Sequence, residues 1–277
     1  MSMLKNTIIT ACVALGLAAT GTSAAFAQEG GTLEKIKQSG EIVIGHRESS
    51  VPFSYLDDAQ KPVGYSIDLC MKIVDAVSKE LGQDISVKYV PVNPKTRIAL
   101  MANGTIDLEC GSTTNNLTRQ EQVEYLPTTF VTGTKLLVRK DSGIQSVADL
   151  DGKTVALAQG TTNERAVMAA VEAAGMLSLE TDRVDAYSSD HILLFGLISK
   201  SKNPDDFVVV GDFLSFDPYA IMVPRNDSAF ELVGKKALAE VFRSGEIYDI
   251  YGKWFDDLGV PADDLLKAAF TLGGLPE

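Results

Sequence analysis

Apolar residues recur along the chain with two alternating spacings. Between residues 65 and 81 they return every three or four positions, which predicts an amphipathic helix. Residues 41–45 and 154–158 are short apolar runs bounded by polar residues or glycine, which is typical of buried strands. Strand and helix patterns continue to alternate in this way, and such alternation favours an α/β fold.

The pattern repeats after residue 130. Predicted strands at 85–90 and 105–110 precede this point, and predicted strands at 135–139 and 184–187 follow it. Polar clusters come directly after several of these strands, at the edge where open α/β sheets bind their ligands. The sequence therefore predicts two similar α/β lobes with ligand-binding residues at their strand ends.

Residues 1–27 have the pattern of a secretory signal peptide. A positive charge precedes an apolar run from 8 to 19, and the tripeptide A-F-A fits a cleavage site before Gln28. The run is too short to span a membrane. A lipoprotein box that ends at Cys12 is the weaker interpretation, because almost no apolar run precedes this cysteine. We therefore expect an exported protein.

Charge and motifs narrow the classes of function. The formal net charge of −12 argues against binding to nucleic acid or to anionic membranes. The two histidines, His46 and His191, show no zinc-ligand spacing, and the sequence has neither a G-x-S-x-G motif nor a P-loop. We therefore expect no metal, no cofactor and no nucleic-acid partner.

Two cysteines remain after the predicted signal peptide. Cys70 lies early in the predicted helix, and Cys110 ends a predicted strand. The exported compartment permits a disulfide between them. Two buried free thiols are an equal alternative, because free cysteine is among the most buried residue types. The sequence leaves both alternatives open.

The polar segment ECGSTTNNLTRQ follows a predicted strand and contains Ser112, Thr114 and Arg119. A strand-to-helix turn exposes backbone N–H groups that favour an anion, and an arginine adds a planar fork suited to a carboxylate. The alternative is a helix cap formed by Thr114, Asn115 or Asn116. Capping alone does not explain why several hydroxyls and an arginine converge, so we predict an anion site.

A second turn of the same kind follows the strand at 154–158. Gly160 precedes Thr161 and Thr162 at the start of a predicted helix. A capping box between Thr161 and Glu164 is the alternative interpretation. Because each lobe has one such turn, the pair predicts an anion clamp.

Three further residues extend this site. Arg47 follows the first strand and Arg97 follows the strand at 85–90, although a lone arginine is usually a solvated surface residue. Asp190 ends a strand of the second lobe and suits an ammonium group. Its alternative role, which we consider equally plausible, is to cap the helix that begins near Ile192.

Four segments resemble the periplasmic solute-binding proteins of amino-acid ABC transporters, in particular their glutamate/aspartate-binding members. They are HRESSVPFSY, ECGSTTNNLTRQ, AQGTTNE and IYDIYGKWF, within a similarity that extends from about 32 to 255. The resemblance implies the type II fold, in which two hinge strands join two α/β lobes. Lobe one would comprise residues 28–130 and 223–277, and lobe two residues 131–222.

The resemblance also implies a role for each candidate. Arg119 would hold the α-carboxylate of an amino acid, with help from Ser112, Thr114 and the Thr161–Thr162 turn. Asp190 would receive the α-ammonium group, and Arg47 and Arg97 the side-chain carboxylate. These three arginines and one aspartate give a local charge of +2, so a neutral or basic ligand would leave buried arginines unpaired.

Two departures from the family pattern concern the site. Pro94 stands where this branch has a small hydroxyl residue. After Gly175 only residues 176–183 precede the next strand, where the family has another strand and most of a helix with a ligand-contacting histidine. Since a crossover between parallel strands needs about a dozen residues, we expect a shortened second lobe that lacks a strand.

The resemblance implies a monomeric periplasmic protein that captures L-glutamate or L-aspartate. Hinge closure around the ligand would then present it to the membrane permease of an ABC transporter, without catalysis. Two alternatives remain open. One is a dehydratase-like enzyme acting on a small carboxylate, with His46 or Glu48 as the acid or base. The other is a binding-defective homologue with an interaction role.

Overall fold

A computed structural model describes residues 31–174 and 184–276 of the chain, and side chains are described outside 171–174. Two predictions concern residues outside the described ranges. One is the signal peptide, and the other is the shortening of lobe two, which depends on residues 176–183. None of the described helices is both long enough and apolar enough to cross a membrane.

The described residues form nine α-helices, which are α1 (Gly31–Ser39), α2 (Tyr65–Leu81), α3 (Arg97–Ala102), α4 (Leu117–Gln120), α5 (Thr162–Ala174), α6 (His191–Lys200), α7 (Ser228–Ser244), α8 (Glu246–Phe255) and α9 (Asp264–Gly273). They also form the strands β1 (Glu41–His46), β2 (Ser49–Ser50), β3 (Ser54–Leu56), β4 (Pro62–Val63), β5 (Ser86–Pro91), β6 (Leu108–Cys110), β7 (Glu124–Tyr125), β8 (Phe130–Thr132), β9 (Thr134–Arg139), β10 (Val155–Leu157), β11 (Ala186–Asp190), β12 (Phe207–Val210), β13 (Asp217–Tyr219) and β14 (Met222–Val223).

Two mixed sheets form the framework. The five-stranded sheet has the order β5-β1-β6-β14-β7, with β1 parallel to both β5 and β6. The four-stranded sheet has the order β10-β11-β9-β12, with β10 parallel to β11 and β9 antiparallel to its neighbours. Because parallel strands are covered on both faces, β1 is almost entirely buried. This burial explains why most of its residues form a continuous apolar run in the sequence.

The largest core lies around the five-stranded sheet. The apolar face of α2 packs there with α7 and α8, and Gly82 ends α2 in a left-handed conformation with φ 64°. Cys70 of α2 and Cys110 of β6 form a disulfide, with Cα atoms 6.3 Å apart, so the disulfide alternative is the one realised. This bond joins the helix to the strand that precedes the polar segment.

Two short antiparallel strands, β8 and β13, connect the regions of the two sheets. Phe130 of β8 and Tyr219 of β13 are paired residues of the two strands. Both rings pack against Phe53 in the largest core, with ring centroids 4.9 and 5.1 Å from that of Phe53. The resemblance also implies chain crossings between the lobes near 131–134 and 218–222, and these strands overlap those ranges in part. The lobe boundaries themselves stay a prediction.

Candidate functional site

A cavity of about 140 Å³ lies between the two sheets, at the carboxyl ends of their parallel strands. Its lining contains seven of the eight predicted ligand-binding residues, namely Arg47, Arg97, Ser112, Thr114, Thr161, Thr162 and Asp190. The two polar turns that are distant in sequence therefore meet in space. Their role in binding stays a prediction, but their convergence is a property of the fold.

The eighth residue, Arg119, lies behind the lining. Its guanidinium donates to the backbone oxygen of Thr114 at 2.7 Å and to that of Gly160 at 3.5 Å. Asn116 caps the short helix that carries it, by accepting from the Arg119 backbone N–H at 3.0 Å, so the capping alternative is also realised. Burial and the nearby Arg97 lower the pKa of Arg119. This arginine therefore bridges the two polar turns.

Arg97 is the most buried of the three arginines, with 3% of its surface exposed. Its guanidinium donates to the backbone oxygen of Ser112 at 3.0 Å and to the Thr113 hydroxyl. Its Nε atom is buried and has no partner among the described residues. Arg47 lies beside it, and burial followed by the charge of Arg97 lowers the pKa of Arg47. Such neighbouring cations favour a bound anion.

The second polar turn caps a helix and also lines the cavity. The Thr161 hydroxyl accepts from the Glu164 N–H at 3.1 Å, and the Glu164 carboxylate accepts from the Gly160 N–H at 2.8 Å. Thr161 therefore forms its half of the predicted capping box, whereas Glu164 binds the N–H of Gly160 and not that of Thr161, and both threonines line the cavity. The hydroxyl oxygens of Thr162 and Thr114 lie 3.3 Å apart, so the two turns touch across the cavity.

Asp190 does not act as a helix cap. It occupies the N-cap position of α6, but its carboxylate accepts no helix N–H. Instead one oxygen accepts the hydroxyl of Tyr219, and the other, Oδ1, is buried without a partner among the described residues. Burial, followed by the charge of Asp217, raises the pKa of Asp190 to about 7. An ammonium group would supply both the missing partner and the missing charge.

Two buried carboxylates were not predicted from the sequence. Glu109 is fully buried, accepts from Thr113 at 2.6 Å and acts electrostatically on Arg47 and Arg119. Asp217, 1% exposed, accepts from Thr114 at 2.9 Å. The local charge of +2 predicted from the sequence is therefore incomplete, because the structure places three carboxylates around the three arginines. The position of Glu109 within the apolar strand before the polar segment was the available signal.

The remaining wall of the cavity mixes apolar and polar groups. Pro94, the residue that departs from the family pattern, lines it directly. The other lining residues that the sequence did not identify are Ser49, Ser50, Ala158, Asn163, Tyr187, Ser189, Leu193 and Leu197. Several come from β11 and α6, which approach the five-stranded side so closely that a Cβ on Gly196 would lie 2.4 Å from the Val51 oxygen. Only glycine fits at that contact.

Neither proposed acid–base residue of the enzyme alternative lines the cavity. His46 is buried, with Nδ1 3.0 Å from the Arg47 oxygen and its ring edge-on to Tyr89. Glu48 is exposed at the surface. The described residues therefore place arginines, hydroxyls and one free carboxylate oxygen around the cavity, which is a set of groups for holding a zwitterion.

Comparison with known proteins gives a matching family profile and several similar proteins. Residues 42–257 match the sequence profile of the bacterial extracellular solute-binding proteins, family 3. The L-glutamate/L-aspartate-binding protein of Pseudomonas aeruginosa is 46% identical over 241 residues, which cover 81% of this chain and 80% of that protein. The glutamate/aspartate import solute-binding protein of Escherichia coli is 41% identical, in an alignment that covers 90% of this chain and 86% of that protein.

A solved structure of lower similarity has the same fold. The ancestral amino acid-binding protein AncCDT-1, a precursor of cyclohexadienyl dehydratase, superposes with a TM-score of 0.68 at 26% identity, over 81% of this chain and 99% of that one. The predicted α/β fold of the type II periplasmic binding proteins is therefore confirmed.

Proposed function

The chain belongs to family 3 of the bacterial extracellular solute-binding proteins, and on this basis we propose that it captures an acidic amino acid, L-glutamate or L-aspartate, for an ABC transporter. The observation that carries the proposal is the distribution of charge around the cavity. Arginines line one side of the cavity, and Asp190, whose Oδ1 is buried without a partner among the described residues, lines the other.

Each group of the ligand has a partner in this arrangement. The α-ammonium group pairs with Asp190, and the α-carboxylate with Arg119, Ser112 and the Thr161–Thr162 turn. Arg47 and Arg97 receive the side-chain carboxylate. A neutral side chain would leave Arg47 and Arg97 without that carboxylate, and this weakens binding less than for a wholly unpaired buried charge, because Glu109 lies nearby.

Capture proceeds by closure of two lobes about β8 and β13. Lobe one consists of residues 28–130 and 223–277, and lobe two of residues 131–222. The Thr114 and Thr162 hydroxyl oxygens lie 3.3 Å apart in this structure, so a ligand that contacts both turns would stabilise this arrangement. The monomeric protein acts in the periplasm and presents its closed form to the membrane permease.

Thermal unfolding with single amino acids tests this function. A ligand that binds the folded state raises the unfolding midpoint in a concentration-dependent way. Glutamate or aspartate should raise it, whereas lysine, leucine and glutamine should not. Glutamine is the matched control, because it differs from glutamate only in the side-chain charge. Equal shifts with both would contradict an acidic specificity, and no shift with any amino acid would favour a binding-defective homologue.

A further inference from the structure

A chain of hydrogen bonds runs from one side of the cavity to the other through the crossing strand β13. At its centre lies Asp217, of which 1% is exposed. One carboxylate oxygen accepts from the Thr114 hydroxyl at 2.9 Å, and the other accepts from the Ser215 hydroxyl. The backbone also joins these segments, since the Asn115 N–H donates to the Pro218 oxygen at 2.8 Å.

The chain continues from Ser215 into the four-stranded sheet. The hydroxyl oxygen of Ser215 accepts from the Thr134 backbone N–H at 3.0 Å and lies 2.7 Å from the Thr134 hydroxyl oxygen. That hydroxyl in turn accepts from the side-chain amide of Asn163 at 2.8 Å. Thr134 begins β9, and Asn163 lines the cavity. A cavity hydroxyl on one side is thus connected to a cavity amide on the other.

The direction of these bonds is set by the carboxylate. An ionised carboxylate only accepts, so Ser215 and Thr114 must both donate their single hydrogen to Asp217. The Thr134 hydroxyl then donates to Ser215, and its own oxygen accepts from Asn163. With its hydrogen engaged, Thr114 presents only lone pairs to the cavity, which suits an ammonium group and not the α-carboxylate that the resemblance implies for it. An amide at position 217 would replace one acceptor by a donor and disturb this order.

The same strand also holds the acid of the site. Tyr219 lies two residues after Asp217, and therefore on the same side of the strand, and donates its hydroxyl to Asp190. The polar groups that act on Asp190 are Asp217 and Tyr219 from β13, Asn163 from α5 and Arg97 from α3. Asp217 is therefore in position to control both partners of an ammonium group, Thr114 and Asp190.

We propose that Asp217 is a positioning residue, which orients the Thr114 hydroxyl towards the ligand's ammonium group and ties it through Ser215 and Thr134 to the opposite side of the cavity. The proposal rests on the proposed function, because it assigns Asp217 a part in capturing an amino acid. It requires no contact between Asp217 and the ligand.

Asp217→Asn is the test variant, and Asp107→Asn is its matched control. Asp107 is also a buried carboxylate, 2% exposed, but it accepts from the Val43 N–H and pairs with Lys35 away from the cavity. Both variants should lower the unfolding midpoint, since each loses an acceptor for buried donors. Only Asp217→Asn should weaken glutamate binding, by about tenfold in titration calorimetry at pH 8.

The pH profile separates positioning from general destabilisation. Loss of the charge at position 217 removes one of the causes that raise the pKa of Asp190. The decline of glutamate affinity on acidification should therefore move to lower pH in Asp217→Asn and stay unchanged in Asp107→Asn. Asp217→Glu keeps two acceptor oxygens and should recover part of the affinity. Wild-type affinity and pH profile in Asp217→Asn, or equal losses in both amide variants, would overturn the proposal.

Hydrogen exchange tests the connection without any ligand. The Thr134 N–H should exchange faster in Asp217→Asn than in the wild-type protein or in Asp107→Asn, because its acceptor Ser215 loses its anchor. Equal exchange rates would overturn the proposal. If the wild-type protein binds neither glutamate nor aspartate, the proposed function fails, and this exchange measurement still decides whether Asp217 holds the two sides together.

Discussion

The two sides of the cavity are built in different ways. On the five-stranded side, Arg97 and Arg119 donate to backbone oxygens of the polar segment, those of Ser112 and Thr114. The disulfide at Cys110 anchors that segment to the largest core. On the four-stranded side, Asp190 is held by Tyr219, a residue of the crossing strand.

The two sheets also differ in burial. Among the interior strands, β1 is buried along almost its whole length, whereas β9 alternates buried positions with half-buried or exposed ones. In the proposed function, the five-stranded side is the organised platform that receives the carboxylates of the ligand. The other side keeps a buried acid with an unpartnered oxygen, which a ligand's ammonium group would complete. We infer that the ligand stabilises the four-stranded side more than the platform.

Removal of a platform arginine should have the largest effect. Arg97→Met retains a long apolar side chain but removes the buried charge, and glutamate affinity should fall about 100-fold, as expected when one partner of a buried charged pair is lost. Titration calorimetry measures the loss. The matched control is Arg139→Met in β9, an exposed arginine whose side chain is 57% accessible, which should change affinity less than about twofold. Similar effects of both variants would contradict an organised arginine platform.

Acidification should weaken binding through the opposite side. The pKa of Asp190 is about 7 because of burial and of Asp217, and only its carboxylate form receives an ammonium group. Between pH 8 and pH 6 the Kd for glutamate should rise about tenfold. The raised pKa also means that the ligand-free protein loses stability as pH rises from the ordinary aspartate range through about 7, so stabilisation by the ligand should grow with pH.

Asp190→Asn provides the control for this pH effect. Without the titrating carboxyl, glutamate binding should be weak and nearly independent of pH over the same range. A wild-type affinity that does not change between pH 8 and pH 6, measured by calorimetry in buffers of constant ionic strength, would show that Asp190 does not receive the ligand's charge.

The smallest effect is expected for the contact between the two sides. Thr162→Val removes the hydroxyl that lies 3.3 Å from that of Thr114 and should weaken glutamate binding about threefold, the value of one neutral hydrogen bond. Thr271→Val in α9 removes an exposed hydroxyl far from the cavity and should leave the Kd unchanged. If Thr162→Val lost more glutamate affinity than Arg97→Met, the contact between the two sides would matter more for binding than the arginine platform, contrary to our expectation.

Local patterns predicted the secondary structure best where an element is long and one-sided. The helix predicted over 65–81 is α2, Tyr65–Leu81, because its apolar spacing and the following Gly82 both mark its ends. Strand β12, Phe207–Val210, was not predicted, since a short apolar run has no period that separates strand from helix. The two- and three-residue strands β2 to β4 are too short to show alternation.

The charged residues of the site were accessible to sequence reasoning, because a polar cluster after an apolar strand is visible within a few positions. The residues that hold them were not. Tyr219 binds Asp190 across 29 positions, and Asp217 binds Thr114 across 103. Such partners leave no local pattern, because one strand that crosses between the sheets brings them together.

The sequence by itself therefore determined the fold class, the family and the charged residues that line the cavity, since periodicity and short motifs are encoded by neighbouring residues. Only the tertiary structure decided which of the alternative roles each residue takes. In the structure, Cys70 and Cys110 form a disulfide, and Asp190 does not cap its helix. Two further buried carboxylates, Glu109 and Asp217, contribute negative charge near the cavity. The physical reason is that hydrogen-bond partners and burial depend on distance in space, which the chain establishes only when both sheets have formed.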